Sequence, residues 1–531
     1  MKAPIDVLHL YREHSGTLHD AFMSRCKKKA DDIFIIQSDA TTTWGEFGKR
    51  YERLAHALKA RGINRGDRVA VVGRNDLAHL LALFALARLG AIMVPINPEY
   101  SIRELTYALS HADVKGVIAD ARLLDSINQA THQFSKTPWK MLWGQLGEAD
   151  NEALSDVIDN TPEVPLAETG TSTDTCVIIY TSGTTGFPKG VMHSQRSFLL
   201  AGEANVARLH MQPDDRVMIV LPFFHVNALF YSVAGVLAAG ASMIIEPRFS
   251  ATRFWDIAAG NGATIVNIIE AIGTILCARN RSEYRADHRV RVVYGVRKKS
   301  ADVFRTEFGI SHLFSGFGMT EIPGVTCNPY DGPDKPGSMG VIGVHPDPAR
   351  QWAQCRVVGD DGTDVEVDEV GELWVRSPVV MQGYFRNAEQ TEQAFHDGWF
   401  KTGDLVRRDA DGFYFHVTRM KDIIRRRGEN IAAAEIEMVI AEHPAVFQVA
   451  ALAVPSELGE DDIFVAVVVR PGQLLNEQEV AAWCADRLAA VKVPRYVVIL
   501  DSLPLTPTHK IAKSKLRDDL QVRAKAVDLQ G

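Results

Sequence analysis

A short segment of the chain concentrates the residue types that bind phosphate. From Thr181 to Gly190 the sequence has three glycines, four Ser/Thr hydroxyls and one lysine, Lys189. Glycines let backbone N–H groups approach anionic oxygens, hydroxyls add donors, and a lysine adds a mobile positive charge. Pro188 before the lysine and Gly190 after it exclude a Walker loop. The pattern predicts a phosphate-binding loop, with a solvent-exposed turn as the alternative.

Three other side chains have chemistry suited to a reaction of ATP. Glu321 is a hard oxygen ligand at a predicted strand-to-loop junction, where it suits Mg²⁺. Asp404 offers two acceptor oxygens that match the two hydroxyls of a ribose. Lys510 is a point cation that can stabilise charge developing on a phosphoryl group. Taken alone, each fits a solvated surface residue or a turn cap equally well or better.

The elements around these residues predict an α/β fold. Apolar runs rich in β-branched residues, such as those at 68–73 and 176–183, alternate with segments of helical spacing. This alternation is typical of crossover units and parallel sheets. After about residue 350 alternating strands and turns indicate antiparallel pairing, and from about residue 420 the pattern predicts a small α+β domain. One of its helices opens at Asn476 with Glu479 three residues later, a capping-box spacing.

Composition narrows the class of protein. The 531 residues exceed one hydrophobic core and include 23% charged and 46% hydrophobic residues, as in a soluble enzyme. A net charge of −8 argues against nucleic acid as a partner. Charges at the N-terminus predict no signal peptide, and Arg88 and Gly90 interrupt the most apolar run, which predicts no membrane span. Six scattered cysteines predict buried thiols in a reducing cytoplasm. An oligomer is compatible with the sequence.

The chain resembles the adenylate-forming superfamily of acyl-CoA synthetases, peptide-synthetase adenylation domains and luciferases. The resemblance rests on the loop at 181–190 and on six further ordered motifs: LPFFHVNAL (221–229), GFGMTE (316–321), GELWVRSP (371–378), WFKTGDL (399–405), TRMKDIIRRRGENIAAAEIE (418–437) and LPLTPTHKIAKSKLR (503–517). It implies an N-terminal domain, 1–418, of parallel-sheet subdomains plus a small distorted β-barrel. A hinge at 419–421 and a mobile C-terminal domain, 422–531, would follow.

The resemblance also implies roles for individual residues. Lys510 would be the lysine over the α-phosphate, Thr320 would lie beside that phosphate, Glu321 would bind Mg²⁺, and Lys421 would be the hinge. The implied nucleotide and coenzyme A contacts are Thr181, Ser182, Gly183, Thr184, Thr185, Lys189, Gly295, Val296, Arg297, Gly316, Phe317, Gly318, Asp404, Arg419, Gly428, Glu429 and Asn430. The implied acid pocket comprises His225, which would gate the coenzyme A tunnel, with Asn227, Ala228, Tyr231, Glu270 and Ile322.

The chain departs from the family pattern near the expected nucleotide site. Arg297, Lys298 and Lys299 stand where small residues form one wall of the adenine slot, and Glu270 stands where relatives tend to have proline or a small residue. Thr418 replaces the usual glycine before Arg419, and His509 replaces the glycine before Lys510. The altered turn either points its cations to solvent or narrows the nucleotide pocket.

We therefore expect a carboxylic acid–CoA ligase that uses ATP, Mg²⁺ and coenzyme A and forms an acyl-adenylate. Two alternatives stay open: a variant impaired in adenylation that mainly converts a supplied acyl-AMP to the thioester, and a stand-alone enzyme that loads a carrier protein. A non-catalytic binder is disfavoured because Lys189, Glu321, Asp404, Arg419 and Lys510 are all present. The sequence does not identify the acid.

Overall fold

The computed structural model describes residues 1–145, 152–164, 166–167, 170–181, 188–426, 429–456, 460–506 and 511–529. The chain forms two compact units. The first comprises residues 1–354 and 375–400, and the second comprises residues 355–374 and 401–531. The hinge expected at 419–421 stays a prediction.

Two large sheets dominate the first unit. In one sheet all neighbouring strands are parallel except the outermost pair, which is an antiparallel hairpin. Its strands, in order across the sheet, are His312–Phe314, Val292–Tyr294, Ile265–Asn267, Arg216–Ile219, Ser242–Ile245, Ile33–Gln37 and Ala40–Thr43.

The second large sheet is parallel in its middle and antiparallel at one side. Its strands, in order, are Gly383–Tyr384, Lys189–Ser194, Thr175–Thr181, Ile92–Ile96, Arg68–Val72, Gly116–Asp120 and Trp139–Trp143. The central strands are fully buried, as expected for parallel strands covered by helices on both faces.

Helices cover these sheets and complete the core. Leu77–Arg88 is apolar nearly all round and is buried along most of its length, so the sequence segment that is most hydrophobic lies inside the unit. The helices of the first unit are Pro4–His9, Leu18–Lys29, Trp44–Ala60, Leu77–Arg88, Ile102–Ala112, Ala121–Leu123, Leu124–Thr131, Leu154–Asn160, Gln195–Leu209, Asn227–Val233, Ala234–Ala239, Phe254–Gly260, Glu270–Ala278, Arg281–Glu283, Lys298–Thr306 and Ala388–Gln393. Among the described residues, none of the helices is long and apolar enough to cross a membrane.

A small antiparallel sheet carries the GFGMTE motif. It contains Gly316–Met319, Ile322–Cys327 and Val341–Ile342 in that order. Met319 pairs with Ile322, so the two residues between them, Thr320 and Glu321, form the tip of a tight hairpin. The predicted strand-to-loop junction at Glu321 is confirmed as this hairpin tip.

The second unit is α+β. Strands Gln354–Val358, Val370–Arg376 and Trp399–Arg408 are neighbours in that order, and Tyr414–Arg419 pairs antiparallel with Trp399–Arg408. A four-stranded sheet then follows, with the order Val446–Pro455, Asp461–Val469, Tyr496–Ile499 and Val527–Asp528. The helices of this unit are Met420–Asp422, Ala433–Ala441, Glu477–Ala485, Ala490–Lys492, Lys513–Asp518 and Leu520–Ala524.

Local sequence signals account for several boundaries in this unit. The predicted capping box is present: Asn476 accepts from the Glu479 N–H, and the Glu479 carboxylate accepts from the Asn476 N–H. An N-cap of this kind contributes about 1 kcal/mol to a helix. The charged run after Met420, by contrast, contains a hairpin of Ile423–Arg426 and Glu429–Ala432 that its lack of alternation did not predict.

Candidate active site

The predicted phosphate loop connects two paired strands. Thr181 ends one strand and Lys189 begins the next, and the antiparallel register places these two residues opposite each other. Strand pairing in the second large sheet therefore fixes Thr181 and Lys189, which flank the loop in the sequence. Four predicted contacts within the loop lie outside the described residues: Ser182, Gly183, Thr184 and Thr185.

One tyrosine connects the lysine of this loop to the predicted metal ligand. Tyr384 lies on the strand next to Lys189–Ser194, and the Lys189 Nζ atom is 5.0 Å from the centre of the tyrosine ring. The Tyr384 hydroxyl donates a 2.9 Å hydrogen bond to Oε1 of Glu321. Burial, together with the adjacent Glu321 carboxylate, raises the pKa of Tyr384, so the hydroxyl stays a donor. The ring thus touches the cation and its hydroxyl holds the carboxylate.

The hairpin tip that carries Glu321 is fixed through both of its backbone carbonyls. The Thr320 carbonyl accepts a 2.7 Å hydrogen bond from Nε2 of His193. The Glu321 carbonyl accepts a 2.8 Å hydrogen bond from the Met381 N–H. Because the two predicted site residues occupy a two-residue tip with both carbonyls bound, their side chains are presented from a rigid backbone.

His193 is a structural donor with a defined tautomer. It is fully buried, and burial lowers its pKa to about 4, so the ring is neutral at pH 7. A carbonyl can only accept, so the proton is on Nε2. Nδ1 is then the acceptor and lies 3.1 Å from the Ser197 hydroxyl. The strand that begins with Lys189 is connected in this way to the Thr320–Glu321 tip.

Two glycines in the predicted motif are required by close packing. A Cβ on Gly318 would lie 2.3 Å from the Tyr231 hydroxyl oxygen and 2.5 Å from the Gly324 nitrogen. A Cβ on Gly316 would lie 2.4 Å from the Thr326 carbonyl oxygen. Gly318 therefore lets the hairpin pack against the helix that carries Tyr231, and Gly316 lets the two strands of the hairpin approach each other near Thr326.

Three of the predicted acid-pocket residues lie on an unusual helix. Asn227, Ala228 and Tyr231 lie on Asn227–Val233, which has π-helical hydrogen bonding, a geometry frequent at functional sites. Tyr231 is buried with its ring centre 5.5 Å from that of Tyr294, and burial raises its pKa. Oδ1 of Asn227 is a buried atom without a hydrogen-bond partner among the described residues.

His225 precedes this helix in a loop that is firmly bound. The His225 ring is half-buried, with its centre 4.7 Å from that of Phe224. The backbone N–H of His225 donates to the Pro222 carbonyl at 3.0 Å. Asn75 holds the same loop from another strand end. Its amide donates to the Leu221 carbonyl at 2.8 Å, and its Oδ1 accepts from the Phe223 N–H at 2.7 Å.

Glu270 and Arg297, two positions that depart from the family pattern, are in direct contact. Oε2 of Glu270 accepts from the Arg297 N–H at 2.5 Å, and Oε1 accepts from the Ser300 hydroxyl at 3.0 Å. The carboxylate therefore lies at the N-terminus of Lys298–Thr306, where a negative charge is favourable. Arg297 is exposed. The sequence allowed a charge pair with Arg297 or a substrate contact for Glu270; the structure adds a contact with the helix N-terminus, and the substrate contact stays a prediction.

Gly295, at the start of the same turn, has a backbone conformation that favours glycine. Its φ is +102°, and a Cβ there would lie 1.9 Å from the Ile268 carbonyl oxygen. Val296 is buried beside it, and the remaining predicted contacts of this unit, Phe317 and Ile322, are also buried on the small sheet.

A second group of predicted residues lies in the second unit. Strand pairing places Asp404 opposite Arg419, and Oδ1 of Asp404 accepts from Nε of Arg419 at 3.2 Å. The same oxygen accepts from Nε2 of His416 at 3.0 Å. Oδ2 is buried and has no hydrogen-bond partner within the described part of the chain. A ribose hydroxyl would supply the missing donor, so this carboxylate fits the predicted ribose contact.

For the remaining predicted residues, the structure gives at most the helix or strand to which they belong. Lys421 lies in the short helix Met420–Asp422, and Glu429 and Asn430 begin the strand Glu429–Ala432. Gly428 and Lys510 lie outside the described residues.

Sequence reasoning missed Tyr384, His193 and His416. Tyr384 lies in the sequence QGYFRN, which has no charge or glycine pattern that indicates phosphate chemistry. It reaches Glu321 only because its strand pairs with the one that begins at Lys189. His416 was detectable as a polar residue between Phe415 and Val417, three residues before Arg419.

The geometry agrees with comparisons to known proteins. Residues 22–385 match the family model described as AMP-binding enzyme, and residues 435–510 match the one described as AMP-binding enzyme C-terminal domain. The chain belongs to the AMP-binding enzyme family. The predicted superfamily and its two-part α/β fold are thereby confirmed.

Members of the AMP-binding family with known activity are similar over nearly the whole chain. The long-chain-fatty-acid–CoA ligase FadD13 of Mycobacterium tuberculosis is 32% identical over 91% of this chain and 93% of its own length. The sulfoacetate–CoA ligase of Cupriavidus necator is 31% identical over 94% of this chain and 97% of its own length. The structure of ATP-bound MatB from Rhodopseudomonas palustris is 28% identical, covers 94% of this chain and 98% of its own, and has a TM-score of 0.83. The predicted enzyme class, a carboxylic acid–CoA ligase, is confirmed by these matches.

Proposed function

We propose that this enzyme joins a carboxylic acid to coenzyme A in two steps through an acyl-adenylate. In the first step an acid oxygen forms a bond to the α-phosphorus of ATP, the bond from that phosphorus to the β-phosphate oxygen breaks, and pyrophosphate leaves. In the second step the coenzyme A sulfur forms a bond to the acyl carbon, the acyl–phosphate bond breaks, and AMP leaves. The contact of Tyr384 with both Lys189 and Glu321 is the observation that carries this proposal.

The cluster of Lys189, Tyr384 and Glu321 suits a triphosphate because, in the described part of the chain, the lysine and the carboxylate lie near each other without forming an ion pair. No ion pair connects Lys189 to Glu321 among the described residues, since the tyrosine separates them. The lysine is therefore available to phosphate oxygens, together with Thr181 and the predicted loop contacts. Glu321 is 8% exposed and keeps one carboxylate oxygen that Tyr384 does not bind.

Glu321 also fits the predicted Mg²⁺ site. The described residues contain no group of three or more side chains arranged to hold a metal. Mg²⁺ in nucleotide sites needs only one or two carboxylates, because phosphates and waters complete its shell. Bound at Glu321, Mg²⁺ would neutralise negative charge on the phosphates. The chain's own contribution is to hold the carboxylate in place through Tyr384 and the hairpin tip.

The other roles in the proposal follow the family resemblance. Asp404 binds the ribose, Arg419 also reaches the nucleotide, and Lys510 supports the α-phosphate during adenylation. Rotation at Lys421 then brings the Gly428–Asn430 loop to the pantetheine of coenzyme A, and His225 gates the route between acid and thiol. The acid is bound by residues on or near the π-helix, including Asn227, Ala228, Tyr231, Glu270 and Ile322.

The structure supports the complete ligase over the variant impaired in adenylation. That alternative rested on the Arg297 turn as an obstacle in the adenine slot, together with the departures at Glu270 and Thr418. Arg297 is exposed, however, and Glu270 binds its N–H, so the turn is an ordered helix start. Relatives named for acids as different as long-chain fatty acids and sulfoacetate leave the acid itself to be identified by experiment. The cytoplasmic location stays a prediction from the sequence.

Lys510→Ala separates the two steps. A panel of acids with ATP and coenzyme A, read by mass spectrometry, first identifies a substrate. With that acid, Lys510→Ala is expected to abolish ATP–pyrophosphate exchange but to retain thioester formation from supplied acyl-AMP. Lys525→Ala, an exposed lysine of the same unit, is the matched control and should retain both. Equal loss of both steps in Lys510→Ala would contradict the assignment, and product formation only with a carrier protein would indicate the carrier-loading alternative.

A further inference from the structure

A hairpin of the second unit brings two side chains to one carboxylate. Asp404 and Arg419 are paired across strands Trp399–Arg408 and Tyr414–Arg419, and His416 projects from the second strand. The Asp404 side chain is 2% exposed, whereas those of His416 and Arg419 are 37% and 44% exposed. The carboxylate is thus enclosed, with both donors at the surface side.

Both donors bind the same oxygen. Nε2 of His416 and Nε of Arg419 donate to Oδ1 of Asp404 at 3.0 and 3.2 Å. The Asp404 N–H donates to the Thr402 hydroxyl oxygen at 3.1 Å, and that hydroxyl donates to the Leu373 carbonyl at 2.7 Å. The backbone and one oxygen of the carboxylate are therefore fixed, which leaves Oδ2 as the oxygen that can accept from a ligand.

Two donors on Oδ1 also fix the rotation of the carboxylate plane. With Arg419 alone, the carboxylate plane could swing about the Cβ–Cγ bond and still keep its single hydrogen bond. A second donor from a different direction restricts that swing, because both hydrogen bonds are well formed only over a narrow range of angles. The orientation that results presents the buried, unpartnered Oδ2 to whatever donor enters.

We infer that His416 is a positioning residue for the nucleotide, which orients Asp404 so that Oδ2 accepts from a ribose hydroxyl. This inference rests on the proposed function, in which Asp404 binds the ribose of ATP. The hydroxyl would replace the atoms that now cover Oδ2. His416 acts through Asp404, so its effect is on ATP binding and on recognition of the ribose.

Two substitutions of His416 distinguish the effect of its N–H donor from the effect of its ring. His416→Phe removes the N–H and keeps a flat ring, whereas His416→Gln keeps an N–H at a similar reach. We expect His416→Phe to raise KM for ATP about tenfold, the size of one hydrogen bond to a charged group, with kcat of ATP–pyrophosphate exchange little changed. His416→Gln should stay close to the wild type. Equal melting temperatures of the two variants would show that both are folded.

ATP analogues without one ribose hydroxyl test the orientation itself. In the wild type, the analogue that lacks the hydroxyl bound by Oδ2, either 2′-deoxy-ATP or 3′-deoxy-ATP, is expected to bind at least several-fold more weakly than ATP. His416→Phe should reduce that discrimination, because a carboxylate that is not oriented loses less when the hydroxyl is removed. If His416→Phe keeps the wild-type KM for ATP, or keeps the full discrimination, the inference is overturned. Absence of exchange in the wild type with its acid would refute the proposed function instead.

Discussion

Tyr384→Phe is the most direct test of the cluster that supports the proposed function. The substitution removes one hydroxyl and leaves the ring on which the Lys189 Nζ atom lies at 5.0 Å. The hydrogen bond that is lost joins this hydroxyl to the largely buried carboxylate of Glu321 at 2.9 Å. A hydrogen bond to a charged group contributes about 1.5–3 kcal/mol, which corresponds to roughly 10- to 100-fold in rate.

The assay is ATP–pyrophosphate exchange with the identified acid. We expect kcat/KM of adenylation to fall about 10- to 100-fold in Tyr384→Phe, since Glu321 is no longer held in place. Tyr384→Leu also removes the ring beneath the lysine and should lose about another fivefold, the size of a cation–π contact of about 1 kcal/mol. Thioester formation from supplied acyl-AMP should change much less, because no triphosphate is bound in that step.

Tyr284→Phe is the matched control. Its hydroxyl donates to the Phe308 carbonyl at 3.1 Å and lies 3.3 Å from Nε2 of His288, and its ring packs against Trp255. None of these residues belongs to the predicted site, so exchange should stay at the wild-type level. Wild-type exchange in Tyr384→Phe, or equal losses in Tyr384→Phe and Tyr284→Phe, would refute the reasoning.

Two further predictions concern stability. Burial opposes ionisation of Glu203, but hydrogen bonds from His14 and His345 outweigh it and lower the carboxyl pKa from 4.5 to about 2. A lowered pKa stabilises the fold above pH 4.5, so Glu203→Gln should reduce the free energy of unfolding at pH 7 by about 3 kcal/mol. In urea unfolding that difference should shrink as the pH falls from 4.5 towards 2, and a constant difference would contradict the assignment. Gly318→Ala should lower the melting temperature and the exchange rate, because its Cβ would lie 2.3 Å from a buried tyrosine oxygen and overpacking costs roughly 1–3 kcal/mol. Gly260→Ala, with no atom within 4 Å of its Cβ, is the control and should change neither.

Much of the scaffold was predictable because strong local patterns agree with the tertiary fold. The run that begins at Cys176 lies in the largely buried strand Thr175–Thr181, the apolar segment before Gly90 is a buried helix, and Asn476 caps its helix. Each of these signals depends on neighbours a few residues apart along the chain.

The contacts between the site residues could not be predicted in the same way. Tyr384 meets Glu321 across 63 positions, and His193 meets Thr320 across 127. Such pairs are set by sheet order and register, which no local pattern contains. The π-helix at 227–233 has no distinct sequence signal either, so the pocket residues were assigned by resemblance and their roles stay predictions.

The carboxylate of Glu270 has a consequence for any attempt to exchange parts between this enzyme and its relatives. Because it binds the Arg297 N–H and the Ser300 hydroxyl from a different helix, the turn depends on a residue 27 positions away. If only residues 295–299 were replaced with a turn of small residues, the Glu270 carboxylate would face a different backbone. A transplant that carries residues 270 and 300 along with the turn should fold, whereas one that omits them should lose the ordered start of the following helix.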